Sequence, residues 1–270
     1  MEIAFGNAIG MTNASLENYV ASLKPKAWFK SNKIVQLDNT AVLTWKDISG
    51  NGNDATQAVT ANQPTFKINQ INGKPAVEFD GSSDRLEISS STSTFKFLHS
   101  DLSTIFFVGK IGNSSNPDTR YGLFGNNGAG TANVGMCLYY DDRSSIPYNN
   151  RLLNLVTRGV TSTSNANNLT SDGALTPNQY NYIRLSGDPA NATAANRSII
   201  QINGGSLIQN NTQTNALSTS NSTLNFQLGS VGGGSLLFLG QMAEIIIFNK
   251  LLTSGEVTII NQYIKQEYDL

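Results

Sequence analysis

The sequence predicts an all-β protein, an antiparallel sandwich or barrel with short helices near its two ends. Three observations carry this. Short apolar runs recur along the chain between clusters of Gly, Asn, Ser and Asp, as expected of strands joined by tight turns. Helical periodicity shows only near the termini. The late strands are strongly apolar, TIFFVGK at 104–110 and MAEIIIF at 242–248, which favours two packed sheets.

In chain order, residues 1–12 are Gly-containing and aperiodic and read as an arm. Residues 13–23 read as a short helix, with Leu16, Val20 and Leu23 on one face and Lys24-Pro25 stopping it. Strands follow at 27–29 and 42–47, then a turn-rich loop at 48–54. Residues 70–73 form a turn. Strands at 75–79 and 85–88 flank a tight turn at 80–84. After 104–110, residues 111–132 read mainly as loop around 121–124. Further strands are expected at 134–140, 152–157, 179–186, 198–203 and 224–228, with loop-like 162–178 between two of them. Gly232-Gly233-Gly234 reads as a hairpin turn, since no Lys-Ser/Thr follows as in a phosphate loop.

The closing 35 residues organise the rest. From Met242 to Phe248 both faces are apolar except for Glu244, so this strand is expected to be covered on both sides. Thr253 and Glu256 have capping-box spacing, and Leu252 and Val257 have hydrophobic-staple spacing. Val257, Ile260 and Ile264 mark one helical face. A terminal helix should therefore lie over a central strand. The expected organisation is an arm and short helix over 1–25 and one β domain over 26–270.

Composition narrows the function classes. Charged residues are 14% of the chain, against roughly 25% in ordinary soluble domains, and Asn, Ser, Thr and Gly replace them. Net charge is −1 with no Lys/Arg cluster, so a nucleic-acid footprint is absent. No run of 18 apolar residues predicts membrane insertion. The start has no basic n-region or apolar h-region, so a secretory signal is not expected. Cys137 is the single cysteine; it lies in an expected strand and reads as a buried structural thiol. The lone His99 reads as a surface or capping residue and cannot build a His-based zinc site. Trp28 and Trp45 sit in apolar strand patterns and read as core.

Several motifs, in order, resemble laminin G-like domains of the concanavalin A-like lectin/glucanase superfamily. They are WKDISGNGNDA at 45–55, GKPAVEFDGSSDRL at 73–86, ING at 202–204, FQLG at 226–229 and FLGQMAEIIIFNKLL at 238–252, with Glu256 following. The closing YIKQEY at 263–268 is similar to the amphipathic tail of bacterial and phage members. The resemblance covers roughly residues 26–270 and implies a two-sheet antiparallel jelly roll. It implies no single function, since lectins, adhesion modules, hydrolases and structural domains share it. Where the family often has a Trp before the Asn-Gly strand, this chain has Tyr180-Asn181-Tyr182. The glucanase branch places Glu and Asp carboxylates on alternate positions of one strand. Here Glu244 is followed at those positions by Ile246 and Phe248, and one acid cannot serve as both acid and nucleophile.

Two sets of site residues stand out. Tyr139, Tyr140, Asp141, Asp142, Arg143 and Tyr148 combine aromatic faces with planar polar groups, the pairing that sugar recognition uses; the plainer alternative is one inward Tyr with an ordinary rim. Asp47, Asn51, Asn53, Asp54, Asp80 and Asp84 are hard oxygen donors in two loops. Such clusters can bind calcium, or cap tight turns through their own backbone. No other cofactor is expected. The function expected is a non-enzymatic module for surface recognition or assembly, a decoration or fibre protein of a phage virion that binds glycans. Its partners would be cell-surface glycans, virion proteins or further copies of itself. The alternatives are a secreted bacterial carbohydrate-binding module and a glycan hydrolase or lyase.

Overall fold

The computed structural model describes residues 10–112, 120–127, 133–143, 150–158, 166–170, 173–210 and 218–270. The chain begins with helix α1 (Asn13–Ser22). Strands β1 (Ala27–Lys30), β2 (Thr40–Ala41), β3 (Thr44–Trp45), β4 (Ala55–Thr56), β5 (Thr65–Ile71), β6 (Lys74–Asp80) and β7 (Leu86–Ile88) follow. After the short helix α2 (Phe97–Ser100) come β8 (Ser103–Ile111), β9 (Arg120–Gly125), β10 (Val134–Asp141), β11 (Arg151–Arg158), β12 (Ala166–Leu169), β13 (Tyr180–Gly187) and β14 (Ser198–Ile202). The last part holds β15 (Ile208–Gln209), β16 (Phe226–Leu228), β17 (Ser230–Val231), β18 (Leu236–Leu237), β19 (Leu239–Phe248) and helix α3 (Ser254–Tyr268).

The strands form two large antiparallel sheets. The first runs β15–β14–β13–β8–β19–β6–β5–β2, and the second runs β12–β11–β10–β9–β16–β7–β4–β3. Strand β19 is central as expected. One edge pairs with β8; the other is shared, β6 taking 239–242 and β1 taking 244–247. Between the sheets lies an apolar core that includes Phe79, Phe107, Phe124, Phe226, Phe238 and Ile245. Its rings meet in tilted and edge contacts, such as Phe107 to Phe238 at 6.4 Å and 83°. The all-β sandwich expectation therefore holds.

A second apolar cluster fills the space between the outer face of the first sheet and the two terminal helices. Leu16 and Val20 of α1 join Trp28, Phe106, Ile246 and Phe248 of the sheet and Ile260, Tyr263 and Ile264 of α3. The α3 capping box forms as the spacing predicts. Glu256 N–H donates to Thr253 Oγ1 at 3.2 Å, and Thr253 N–H donates to Glu256 Oε2 at 2.7 Å. Among the described residues, no helix is long and apolar enough to cross a membrane.

Four departures stand out, and the first three have physical reasons. The strand expected at 42–47 is reduced to Thr44–Trp45, because the chain crosses between sheets just before it: Thr40–Ala41 pairs in the first sheet and Thr44–Trp45 in the second, a corner of the kind sandwiches use. Strand β5 is unanticipated because Asn69, at φ 55°, interrupts its alternation between Lys67 and Ile71. The region 121–124, expected as loop, is the buried strand β9, whose Gly122 and Gly125 mark close backbone approach rather than turns. Strand β12 falls inside loop-like 162–178.

His99 is a correction. It is fully buried in α2, with Nε2 3.0 Å from the Ser220 carbonyl oxygen. Burial, with the charge of Lys96 beside it, lowers its pKa. Trp28, Trp45 and Cys137 are buried as expected, and Gly232–Gly234 does lie in the β17–β18 turn.

Candidate functional site

Strand alternation divides the first predicted set. Along β10, Met136, Leu138 and Tyr140 point into the core, while Cys137 and Tyr139 join a small cluster on the other face of the sheet. Tyr140 is 1% exposed and stacks on Tyr121 of β9, with ring centroids 6.1 Å apart and planes at 7°. Its hydroxyl donates to Asn150 Oδ1. Tyr139 is 8% exposed. Burial, with nearby Cys137, pushes its phenol up to about 12. Neither ring presents an open face for stacking.

What covers Tyr139 is the β17–β18 hairpin. Val231 packs on Cys137 and Tyr139, with Leu236 beside them. The hairpin can lie this close because β9 carries Gly122. A Cβ there would sit 2.5 Å from the Leu236 carbonyl oxygen and 2.6 Å from a Val231 methyl.

Asp141 is buried at the end of β10, and Arg143 reaches back to it with a fork. Arg143 Nε and Nη2 each donate at 2.8 Å to the two carboxylate oxygens. Arg120 of β9 and Arg151 of β11 are the cross-strand register partners of Asp141. Arg120 lies over the Tyr139 ring, 5.7 Å from its centroid. Burial raises the Asp142 pKa, with the Asp141 charge adding to it. Tyr148 lies outside the described residues.

Beside these groups is an open groove of about 380 Å³, lined by Gly81, Arg120, Tyr121, Arg143, Leu236 and Leu237 among others. Thus Arg143 of the predicted set reaches the groove, whereas Tyr139, Tyr140 and Asp141 form its support. Arg120 was not singled out from the sequence, and the hairpin was read there only as a turn, not as part of a site. Nothing in their local patterns reports that they meet.

The second predicted set folds into turns. Asp47 accepts N–H bonds from Trp28, Ser49 and Asn53, each at 2.9 Å. Asp54 accepts from Asp47 N–H and from the Lys46 ammonium at 2.9 and 2.6 Å. The Asn51 and Asn53 amides donate to backbone carbonyls at 25–26, fastening this loop to the start of β1. Asp80 accepts from the backbone N–H groups of Ser82, Ser83 and Asp84 and from two serine hydroxyls. Burial opposes its ionisation, but these donors outweigh burial and hold the carboxyl well below its usual range. Asp84, which accepts from Asp80 N–H at 3.0 Å, is pushed up to about 6 by burial and by the Asp80 charge. These oxygens are occupied by turn donors, so the set does not fit the six to eight ligands of calcium. Among the described residues, no three acidic, His or Cys side chains converge to hold a metal.

Glu244 is fully buried beneath α3. It accepts from the Trp28 indole and from the hydroxyls of Tyr263 and Tyr268, both at 2.8 Å. Burial raises its pKa against the nearby Lys30 charge and these donors. Lys30 is itself buried, 2.7 Å from Glu17 of α1 and 3.3 Å from Glu267 of α3. This network joins both helices to the sheet and does not open onto the groove residues.

No family model and no curated protein sequence matches the chain. Solved structures do. One is a Trypanosoma rangeli sialidase in complex with 2,3-difluorosialic acid as a covalent intermediate. It aligns with a TM-score of 0.59 and 12% identity over 94% of this chain and 37% of its own. Another is the binding domain of botulinum neurotoxin DC in complex with rat synaptotagmin II. It aligns with a TM-score of 0.57 and 12% identity over 92% of this chain and 53% of its own. The chain thus spans little more than a third of the sialidase and about half of the toxin domain. At this identity the shared property is the fold, a two-sheet β sandwich.

Proposed function

We propose that the chain is a non-enzymatic recognition module that binds saccharides in the groove beside the β17–β18 hairpin. The observation that carries this reading is the groove of about 380 Å³ and the way its polar groups are held. Arg143 is fixed by a two-point bond to Asp141, and Arg120 rests on Tyr139. Few polar groups, held at and just beyond strand ends beside apolar leucines, suit a hydroxyl-rich ligand. Binding rather than bond cleavage is supported by Glu244, which is sealed under α3 and cannot reach a ligand. The fold does not choose the ligand, because one framework serves many functions.

Binding of the purified chain to a glycan array tests the reading. Ser235→Trp, in the exposed turn at the groove wall, should abolish the signal while the melting temperature stays put. A chain that binds no glycan, or binds equally well with the groove filled, rules the reading out.

A second reading, assembly on a larger particle, is favoured by exposed aliphatic side chains. Val35 is 97% exposed, Leu37 79% and Leu43 53%, three exposed aliphatic side chains close together in the sequence, as docking surfaces use. A laminin G-like protein of a phage virion would use both surfaces. Copurification with particles, lost in a Val35→Ser/Leu37→Ser variant that still binds glycan, is the expected result. Unchanged copurification of that variant would remove the surface from the proposal.

A further inference from the structure

We infer that the groove selects saccharides carrying an anionic group, a carboxylate or a sulfate, and that Arg120 is the residue that reads it. The inference rests on the saccharide-binding reading above and narrows its ligand class.

The argument begins with strand register. Arg120 and Asp141 are cross-strand partners on β9 and β10, so an ion pair between them would be the default. Asp141 is instead occupied by Arg143, whose Nε and Nη2 take both carboxylate oxygens at 2.8 Å and whose N–H adds a third contact at 3.3 Å. A two-point fork uses the carboxylate's preferred directions and leaves little for a second guanidinium. Arg120 accordingly has no carboxylate at ion-pair distance among the described residues. Its partner is the Tyr139 ring, 5.7 Å away. Arg120 also comes close enough to the Tyr139 hydroxyl to act on it as a donor, and a guanidinium with five N–H groups keeps others for a ligand.

The surroundings raise the value of that charge. Leu236 and Leu237 wall the groove, and the hairpin excludes water from Tyr139 beneath it. A guanidinium beside apolar walls interacts more strongly with an anion than one surrounded by water. Its parallel N–H donors match two oxygens of a carboxylate or sulfate. A neutral sugar would leave the charge unmet. An aromatic-stacking mode is disfavoured, because Tyr139 and Tyr140 are 8% and 1% exposed. Recognition therefore falls to the arginine fork.

The test is calorimetric titration of the full chain with three matched oligosaccharide sets, neutral, carboxylated and sulfated, at two salt concentrations. The expected result is that an acidic set binds at least tenfold more tightly than the neutral one, with affinity falling as salt rises. The two acidic sets show which anion is used. Arg120→Gln should remove the preference, bringing acidic and neutral affinities within about twofold. Arg120→Lys, which keeps charge but loses the fork, should retain only part of it. Lys265→Gln, an exposed control on α3, should change nothing. Thermal melting checks that each variant is folded. Binding of neutral and acidic sets with equal affinity, or a preference that survives Arg120→Gln, overturns the inference and leaves saccharide binding standing. No binding to any set overturns both.

Discussion

The two sheets turn very different outer faces away from the shared core. The first sheet is roofed by α1 and α3, and the charges beneath the roof are matched: Glu244 by three donors, Lys30 by two carboxylates. The second sheet is covered in part by a small hairpin, and beside it Arg120 has no carboxylate partner among the described residues. Buried charge costs several kcal/mol per ion unless it is paired and hydrogen-bonded, so the roofed side holds a closed network. At a groove a cation can wait for a ligand, because water solvates it meanwhile. The contrast separates charge that holds the fold from charge available for recognition.

The sharpest way to break the contrast is at Glu244. Glu244→Ala strands the Trp28 indole, two tyrosine hydroxyls and part of the field balancing Lys30. A loss of about 3–5 kcal/mol is expected, read by urea denaturation. A loss below about 1 kcal/mol would mean the roof is not held by this network. Next in size, Gly122→Ala presses a methyl against the Leu236 carbonyl and Val231. A loss of about 1–3 kcal/mol is expected, together with faster thiol labelling of Cys137, which the hairpin covers. Unchanged labelling would show that the hairpin does not lift by itself.

The groove-side turn gives a pH test. The Asp84 carboxyl is raised to about 6 in the folded chain from 3.8. A raised pKa contributes stability that is present below the unfolded value and lost as pH climbs from about 4 to 6. Asp84→Asn keeps an acceptor for Asp80 N–H and removes the charge. It should be more stable than the parent at pH 7.5, by roughly 1–2 kcal/mol once solvent screening reduces the full linkage value, with the advantage gone at pH 4. An equal offset at both pH values would contradict the assignment. The smallest effect belongs to the α3 cap. Thr253→Ala should cost about 1 kcal/mol and leave glycan binding unchanged, whereas a binding defect would show that roof and groove are coupled.

Much of the fold was legible locally. The α3 capping box, the burial of β19 on both faces and the Gly232–Gly234 turn follow from spacing alone. Strands β5 and β9 were not legible, because Asn69 interrupts one alternation and Gly122 with Gly125 imitate turns in the other. The candidate site was half legible. Of the first set, Arg143 lines the groove just beyond β10, while Tyr139 and Tyr140 are buried beside it.

The clearest division lies in β19. Its residue order determined that a strand there must be buried on both sides and contain one acid. It did not determine which side receives Glu244. The register against β8 slips between Met242 and Glu244, and an extra residue in a strand reverses the side on which every later side chain lies. Met242 and Ile245 therefore both face the core, while Ala243, Glu244 and Ile246 turn toward α3. Strand period and capping are encoded within a few residues and can be read there. Bulge position, hairpin docking and the meeting of Arg120 with Asp141 depend on pairing between distant segments, so only the tertiary structure decided them.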